Sequence, residues 1–302
     1  MLWKSPTNMK NRTRSLKSPR RTPQYKTRHF LANLTNYLRY DKGGINLTLE
    51  SKCVLASKCK HAGDELKCNE TCFPFVLAHG VTGEKGLWKS TKVPNRYRGS
   101  YLRNLPIREQ NPAAYGFLKI YIEKVTTMVS EGIGLYLYSI PSPTNRMGTG
   151  TGKTTVATAI VNEYIIERIV QHSKGEKKIT NNPALFLKAS ELQNTYNAQF
   201  RGTDEMKTEA SKKYYALKDM MLKTELLVID DIALRNTTQA YQDEFYEVID
   251  RRYNNEQCTI FTSNTPVEEI GQVLNFQIAS RVEGMTEQVL FKGDDNRKGG
   301  VL

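Results

Sequence analysis

The chain has 302 residues, a formal net charge of +13, 39% hydrophobic residues and 25% charged residues. This length suits one larger domain with smaller appendages, because domains commonly hold about 100–200 residues. No apolar stretch approaches the roughly 18 residues that a membrane-spanning helix needs, so we expect no membrane contact.

The positive charge is concentrated at the start of the chain. Residues 1–40 contain ten Lys and Arg and no Asp or Glu, whereas the rest of the chain contains 34 basic and 31 acidic residues. Residues 1–30 hold three prolines among Ser, Thr, Lys and Arg, which predicts a basic disordered tail. Three roles remain open for this tail: contact with nucleic acid or another polyanion, a solvated extension, or an organellar transit peptide.

Four of the five cysteines lie within residues 31–80, which we interpret as a small module. They are Cys53, Cys59, Cys68 and Cys72, separated by five, eight and three residues. No apolar core follows the first charges, so we expect neither a secretory signal nor a disulfide framework. Four thiolates, or three with a His, suit tetrahedral zinc, and we predict one zinc ion per chain. His61 could replace Cys59 as a ligand, and reduced thiols without metal are the alternative.

The rest of the chain is predicted to be a linker followed by an α/β domain. Residues 81–112 lack periodicity, whereas residues 113–302 alternate apolar strands with helices, which is typical of a parallel sheet flanked by helices. The predicted strands are residues 135–140, 184–187, 225–232, 258–262 and 288–291. The predicted helices are residues 113–130, 154–171, 205–222, 241–253, 266–274 and 276–283, with a further helix near residue 190.

A glycine-rich segment lies between the first predicted strand and the next helix, which is the context of a phosphate-binding loop (P-loop). Its candidate nucleotide contacts are Gly148, Thr149, Gly150, Thr151, Gly152, Lys153, Thr154 and Thr155. Backbone N–H groups and the helix N-terminus favour phosphate, Lys153 would neutralise the terminal phosphates of ATP, and Thr154 would bind Mg²⁺. The strict motif has Gly where this chain has Met147, and six residues, 141–146, lengthen the approach to the loop.

Two later strands end in polar side chains that suit the same site. Asp230 and Asp231 follow the apolar run of residues 226–229, and Asn264 follows the strand of residues 258–262. Asp230 is predicted to hold Mg²⁺, Asp231 to polarise the attacking water, and Asn264 to orient that water. A turn-forming role is the alternative for Asn264.

These motifs, in this order, resemble the AAA+ P-loop ATPases, and more narrowly the DnaC/DnaI-type helicase loaders. The resemblance covers residues 98–297 and rests on five segments. They are residues 134–138, residues 150–155, residues 226–232, the stretch from Ile249-Asp250-Arg251-Arg252-Tyr253 to residues 261–264, and residues 280–282. It implies an AAA+ core, the segment Thr71-Cys72-Phe73-Pro74 resembles the end of a zinc module in loader N-terminal domains, and a weaker likeness assigns Arg297 to a C-terminal basic element. The basic tail of residues 1–30 has no counterpart in this resemblance.

The resemblance also implies partners. Arg281 would be an arginine finger that reaches the ATP of a neighbouring subunit, so we expect self-association. Residues 188–223 would contact single-stranded DNA, because they interleave cations with aromatic rings. These are Lys188, Arg201, Lys207, Lys212, Lys213, Lys218 and Lys223, with Tyr196, Phe200, Tyr214 and Tyr215. An amphipathic helix with a solvated charged face is the alternative.

We therefore expect a cytoplasmic ATPase of DNA replication that loads a hexameric helicase onto single-stranded DNA, with ATP and Mg²⁺ as cofactors and zinc in the small module. One alternative is a transposition helper ATPase that acts with a transposase. Another is a nucleotide-gated adaptor with little turnover, which the Met147-containing loop leaves open.

Overall fold

The structure is a computed structural model that describes residues 48–83, 85–233 and 237–296. The predicted tail of residues 1–30, the start of the cysteine module and Arg297 lie outside these ranges. The described residues belong to one compact unit, Leu47–Leu302. Within them, no helix is long and apolar enough to cross a membrane.

A parallel sheet forms the centre of this unit. Over the described residues its strands are β1 (Gly134–Ser139), β2 (Ala184–Lys188), β3 (Leu226–Asp230), β4 (Thr259–Ser263) and β5 (Thr286–Phe291). The spatial order is β2-β3-β4-β1-β5, and every neighbouring pair is parallel. The predicted α/β architecture is therefore confirmed, and β4 lies between β1 and β3.

Helices cover both faces of this sheet. They are α1 (Leu49–Lys52), α2 (Phe73–His79), α3 (Gly86–Ser90), α4 (Pro112–Glu123), α5 (Val125–Ser130), α6 (Lys153–Ser173), α7 (Ala189–Asn197), α8 (Asp204–Lys223), α9 (Gln239–Asn254), α10 (Val267–Val273) and α11 (Phe276–Gly284). The single helix predicted for residues 113–130 is two helices, because the backbone at Lys124 leaves helical geometry at φ −112° and ψ 23°.

Successive side chains of the strands point to opposite faces of the sheet, and each face has its own hydrophobic core. Leu135 and Leu137 of β1 pack on one face with α6, whereas Tyr136 packs on the other face with residues of α7 to α11. This follows from the period of two in a strand, which turns successive side chains to opposite faces. Strands β2, β3 and β4 are almost entirely buried, as expected for a sheet covered on both sides.

Residues 81–112 are not a linker, in contrast to the prediction. Trp88, Val93, Leu105 and Ile107 are buried in the α6-side core, and the N–H of Phe186 in β2 donates to the carbonyl of Thr91 at 2.7 Å. The sequence lacks periodicity there because the segment crosses the domain in short turns, yet its apolar residues fill the core. Ile107 of this segment also lies against Gly152, in the loop that follows β1.

Candidate nucleotide-binding site

The glycine-rich loop connects the carboxyl end of β1 to the amino end of α6. Gly148, Gly150 and Gly152 have φ values of 59°, 68° and 99°, which side chains rarely adopt. A side chain at Gly152 would also meet Cγ2 of Ile107 at 2.6 Å. The 21-residue helix α6 begins at Lys153, so its first N–H groups lie at the loop and favour an anion there.

Met147 does not disrupt this loop. Its side chain is 70% exposed, and the left-handed turn that opens the loop is made one residue later by Gly148. The carbonyl oxygen of Gly148 accepts hydrogen bonds from the Ser139 hydroxyl and from Lys153 Nζ, the latter at 3.0 Å. The departure from the strict motif therefore shifts the turn by one residue.

Asn145 fixes the lengthened approach to the loop, a role that the sequence analysis missed. Its Nδ2 donates to the carbonyls of Thr149 at 2.7 Å and Gly293 at 3.1 Å, and its Oδ1 accepts from the Thr149 N–H at 3.2 Å. Asn is common in turns because its amide can pair with nearby backbone groups, and this was the only signal available.

Lys153 is buried and points along the loop. Its Nζ donates to Asn264 Oδ1 at 2.7 Å and to Thr151 Oγ1 at 3.3 Å, in addition to the Ser139 hydroxyl. The structure thus brings the predicted lysine and the predicted asparagine into contact across β1 and β4. A cation held among neutral oxygens in this position suits phosphate.

Asp230 and Thr154 form the second predicted contact. Oδ1 of Asp230 accepts hydrogen bonds of 2.8 Å from the hydroxyls of Thr154 and Thr262. Burial raises the pKa of Asp230, and the two hydroxyl hydrogen bonds oppose that shift. A carboxylate and a hydroxyl at this spacing are hard oxygen donors, so the residues fit a Mg²⁺ ion that also binds phosphate oxygens.

Asp231 lies at the exposed mouth of the site. Its φ of 61° turns the chain away from β3, and its N–H donates to Thr262 Oγ1 at 2.8 Å. The Thr262 hydroxyl therefore hydrogen-bonds to the side chain of Asp230 and to the backbone of Asp231. The sequence analysis missed this role because Thr in a strand is usually a packing residue.

A cavity of about 370 Å³ joins these groups. It is lined by Arg96, Tyr97, Pro106, Thr149, Gly150, Thr151, Gly152, Lys153, Thr154, Thr155, Asp230, Asp231, Thr262, Asn264 and Asn296. The first three come from the predicted linker and were missed, since Arg and Tyr in an aperiodic stretch carry no specific signal. The Arg96 guanidinium lies 4.9 Å from the centroid of the Tyr97 ring.

Asn162 of α6 holds that segment in place. Its Nδ2 lies within hydrogen-bond distance of the carbonyls of Tyr97 (3.3 Å), Arg98 (3.2 Å) and Ser100 (2.8 Å). The same helix that begins at the P-loop therefore anchors the opposite wall of the cavity.

The segment after β5 also contacts the loop. Asn296 donates to the Gly150 carbonyl from its backbone N–H at 3.2 Å and from Nδ2 at 3.1 Å. Oδ2 of Asp295 accepts from the Thr149 hydroxyl at 3.3 Å, and a side chain at Gly150 would lie 1.7 Å from Oδ1 of Asp295. A carboxylate thus lies directly against the phosphate-binding loop.

Arg281 does not line the cavity of its own chain. Its Nε donates to Oδ1 of Asp250 at 2.7 Å, and its guanidinium lies 5.0 Å from the centroid of the Tyr253 ring. Arg281 is therefore not placed among the groups that line the nucleotide cavity of its own chain.

The four predicted zinc ligands line a separate cavity of about 300 Å³ beside α6, together with His61. They are Cys53, Cys59, Cys68 and Cys72. Burial raises the pKa of Cys53, and the three neighbouring thiols add to the rise. Within the described residues, no three His, Cys, Asp or Glu side chains converge closely enough to hold a metal ion. The donor types fit zinc, but their present geometry does not.

The predicted DNA-binding set of residues 188–223 divides into two groups. Buried Tyr196 packs against Tyr214 and Tyr241, and Lys218 forms ion pairs of 2.6 Å with Glu244 and Glu247. These side chains therefore stabilise the packing of α7, α8 and α9. The exposed members are Phe200, Arg201, Lys212, Lys213, Tyr215 and Lys223, and the remaining two, Lys188 and Lys207, are half-buried.

Comparison with known proteins adds sequence similarity over part of this domain. Residues 196–294 match the family described as IstB-like ATP binding protein, a range that includes Asp230, Asp231, Asn264 and Arg281. No curated protein matches the chain.

Similar solved structures include the DnaC helicase loader, DnaI and DnaA. The DnaC helicase loader is 20% identical, with 66% of this chain and 100% of that chain covered and a TM-score of 0.48. DnaI is 18% identical, covering 66% of this chain and 94% of that one, with a TM-score of 0.46. AMPPCP-bound DnaA from Aquifex aeolicus is 20% identical, covering 67% of this chain and 52% of that one, with a TM-score of 0.47. The chain therefore has an α/β fold built on a parallel sheet, with IstB-like ATP-binding sequence over residues 196–294.

Proposed function

We propose that this chain is a cytoplasmic ATPase of DNA replication that loads a hexameric helicase onto single-stranded DNA, with ATP binding and hydrolysis as the switch. The observation that carries the proposal is the contact between Lys153 and Asn264, next to the contact of Thr154 with Asp230. These four side chains come from the first turn of α6 and from the ends of β3 and β4. Together they offer a cation, hard oxygen ligands and an amide around one cavity.

The chemistry follows from these positions. Backbone N–H groups of the loop and Lys153 would bind the terminal phosphates, while Thr154 and Asp230 would hold Mg²⁺. That ion would neutralise charge on the phosphate oxygens. A water molecule would attack the γ-phosphorus as the bond to the β–γ bridging oxygen breaks, and ADP and phosphate would leave. Asp231 would accept a hydrogen bond from this water and take up its proton, and Asn264 would orient it.

The Lys153–Asn264 contact also explains how nucleotide could act as a switch. Phosphate oxygens compete with Asn264 Oδ1 for Lys153 Nζ, because a charged acceptor forms the stronger hydrogen bond. ATP would therefore release the Asn264 amide at the end of β4. Arg281 of a neighbouring subunit would add a positive charge at the γ-phosphate, which couples hydrolysis to assembly.

Two further parts of the chain are assigned with this function. The exposed Phe200 and Tyr215, flanked by Arg201, Lys212 and Lys213, would stack on bases and neutralise the backbone of single-stranded DNA. The cysteine module would bind one zinc ion, which would draw Cys53, Cys59, Cys68 and Cys72 together and dock the module on the helicase. One equivalent of zinc in protein purified without chelator supports this assignment, and its absence contradicts it.

The proposal is tested by loading a hexameric replicative helicase onto circular single-stranded DNA. The wild-type chain should bind the helicase and load it only with ATP, and Lys153→Ala should abolish loading. Lys119→Ala on α4 is the matched control, because this lysine is exposed and pairs only with Glu123 among the described residues. Failure to bind any hexameric helicase, together with stimulation by a transposase and double-stranded DNA, would favour the transposition helper. ATP binding without hydrolysis would favour the adaptor.

A further inference from the structure

The carboxylate of Asp250 collects three hydrogen bonds on one face of α9. Oδ1 accepts from Arg281 Nε at 2.7 Å and from the Tyr246 hydroxyl at 3.2 Å, and Oδ2 accepts from Asn254 Nδ2 at 3.0 Å. Tyr246, Asp250 and Asn254 are four residues apart, so they lie one above another on the helix. Tyr246 and Asn254 thereby fix the carboxylate that holds Arg281.

Tyr253 makes the second contact with Arg281. Its ring centroid lies 5.0 Å from the guanidinium carbon, a distance at which the face of an aromatic ring attracts a cation. The ring in turn packs beside Gly284 of α11, where an added side chain would lie 3.1 Å from the Tyr253 ring. Asp250 and Tyr253 together restrict both the position and the orientation of the guanidinium.

The terminal amino groups of Arg281 are left for another partner. Within the described residues, its hydrogen bonds and ion pairs involve Nε alone. The Arg281 side chain is 34% exposed. A guanidinium presents five N–H donors in a planar fork, so a bond through Nε leaves two terminal amino groups able to bind phosphate oxygens.

These amino groups cannot serve the ATP site of their own chain. Arg281 lies three residues before the end of α11, which leads into Thr286 at the amino end of β5. Thr286 is paired with Gly134 at the amino end of β1, whereas the P-loop follows the carboxyl end of that strand. A strand of six residues separates the two edges by about 20 Å.

We propose that Asp250 and Tyr253 are positioning residues that hold Arg281 with its terminal amino groups presented to the ATP of a second copy of this chain. The inference deepens the proposed function and rests on its ATPase part, but it does not need the helicase. It gives a physical role to two residues of the segment Asp250-Arg251-Arg252-Tyr253. The other two act differently: Arg251 pairs with Glu247 at the surface, and Arg252 is buried in the core.

The first measurement is steady-state ATP hydrolysis by Asp250→Ala, Tyr253→Ala and Arg281→Ala. Each variant should lower kcat at least about tenfold, because a mispositioned donor no longer meets the transition state. The KM for ATP should stay within about twofold, because each chain keeps its own phosphate-binding site. Asp243→Ala is the matched control, since Asp243 is an exposed aspartate on the same helix whose hydrogen bond is to Gln239.

Conservative variants show whether a lower kcat comes from misplacement of Arg281 or from a less stable fold. Asp250→Asn keeps an oxygen acceptor for Arg281 Nε, and Tyr253→Phe keeps the ring, so both should retain much of the wild-type kcat. If Asp250→Ala does not fold, as judged by circular dichroism, the kcat of Tyr253→Ala is compared with that of Asp250→Asn instead. A tenfold loss in Tyr253→Phe equal to that in Tyr253→Ala would contradict the role of the ring.

Mixing subunits gives the decisive test. Lys153→Ala lacks a working ATP site but keeps Arg281 and its supports, whereas Asp250→Ala keeps its ATP site but misplaces Arg281. Mixing the two inactive variants should restore activity, because one interface then pairs an intact site with an intact arginine. Mixing Asp250→Ala with Arg281→Ala should restore none.

Absence of rescue by Lys153→Ala, with both variants folded, would overturn the proposal, as would rescue by Arg281→Ala. Complementation without helicase loading would refute the loader assignment alone. Normal hydrolysis by Arg281→Ala would refute the arginine finger and this inference together, while leaving ATP binding intact.

Discussion

Lys153 Nζ donates a hydrogen bond to Asn264 Oδ1 at 2.7 Å, which joins the start of α6 to the end of β4. The two residues are 111 positions apart, and the strand order places them side by side because β4 lies next to β1. The cation proposed to bind phosphate and the amide proposed to orient water are therefore paired with each other. We expect nucleotide binding to rearrange this pair.

Asn264→Ala should separate binding from hydrolysis. The variant removes an acceptor that competes with phosphate for Lys153, so ATP affinity should be unchanged or higher by up to about threefold, whereas kcat should fall at least about tenfold. Titration with a fluorescent ATP analogue and a phosphate-release assay measure the two effects. Asn194→Ala, at an exposed site on α7, is the control. Weaker ATP binding with unchanged kcat would contradict the assigned role.

Asp295→Asn should tighten ATP binding. The Asp295 carboxylate contacts the Thr149 hydroxyl at the phosphate-binding loop, so its charge opposes that of the phosphates. Removing one charge should lower the Kd for ATP about threefold to tenfold at low salt, and less at high salt. Asp294→Asn makes the same charge change at the neighbouring exposed residue and should have a smaller effect. Equal effects of the two variants would show that position does not matter.

Asn162→Ala should loosen the wall of the cavity opposite the P-loop. Asn162 is buried and its Nδ2 serves the carbonyls of Tyr97, Arg98 and Ser100, so truncation leaves these groups without a partner. The free energy of unfolding should fall by about 1–3 kcal/mol, and ATP should bind more weakly. Urea unfolding and ATP titration measure these effects. A loss of stability with unchanged ATP affinity would exclude residues 97–100 from the nucleotide site.

Arg252→Ala should destabilise the fold without a direct effect on nucleotide. The guanidinium is fully buried and donates to Thr259 Oγ1 and to the carbonyls of Met221, Thr224 and Cys258. Truncation leaves a cavity and unpaired oxygens, which costs about 3–5 kcal/mol. Thermal unfolding checks this, with the exposed neighbour Arg251→Ala as the control. A melting temperature like that of the control would contradict the claim that the hydrogen bonds of Arg252 hold α8, α9 and β4 together.

The alternation of apolar strands with helices was sufficient to predict the sheet and most helices, because buried strands and amphipathic helices have distinct periods. The same reasoning failed for residues 81–112, where short turns bury Trp88 and Ile107 without any period. Segments of this kind are set by tertiary packing. Their apolar side chains pack onto the apolar surface that the helices and strands leave uncovered.

The candidate site was predicted where chemistry is encoded in local sequence. Lys153, Thr154, Asp230 and Asn264 each follow or precede a strand in a recognisable motif, and the structure brings these four together. Asn145, Thr262 and Asn296 are different, because their roles are contacts between distant parts of the chain. Residue type alone does not distinguish them from turn or packing residues.

Hydrolysis by Asp231→Asn tests the central claim most directly. Asn tolerates the left-handed backbone at this position, and the N–H that donates to Thr262 is retained, so the variant should fold and bind ATP with a Kd within about threefold of wild type. Without the carboxylate that takes the proton of the attacking water, kcat should fall at least about 100-fold. That combination is the predicted result. Hydrolysis at the wild-type rate by the Asp231→Asn variant would contradict the claim that the Asp231 carboxylate takes up the proton of the attacking water.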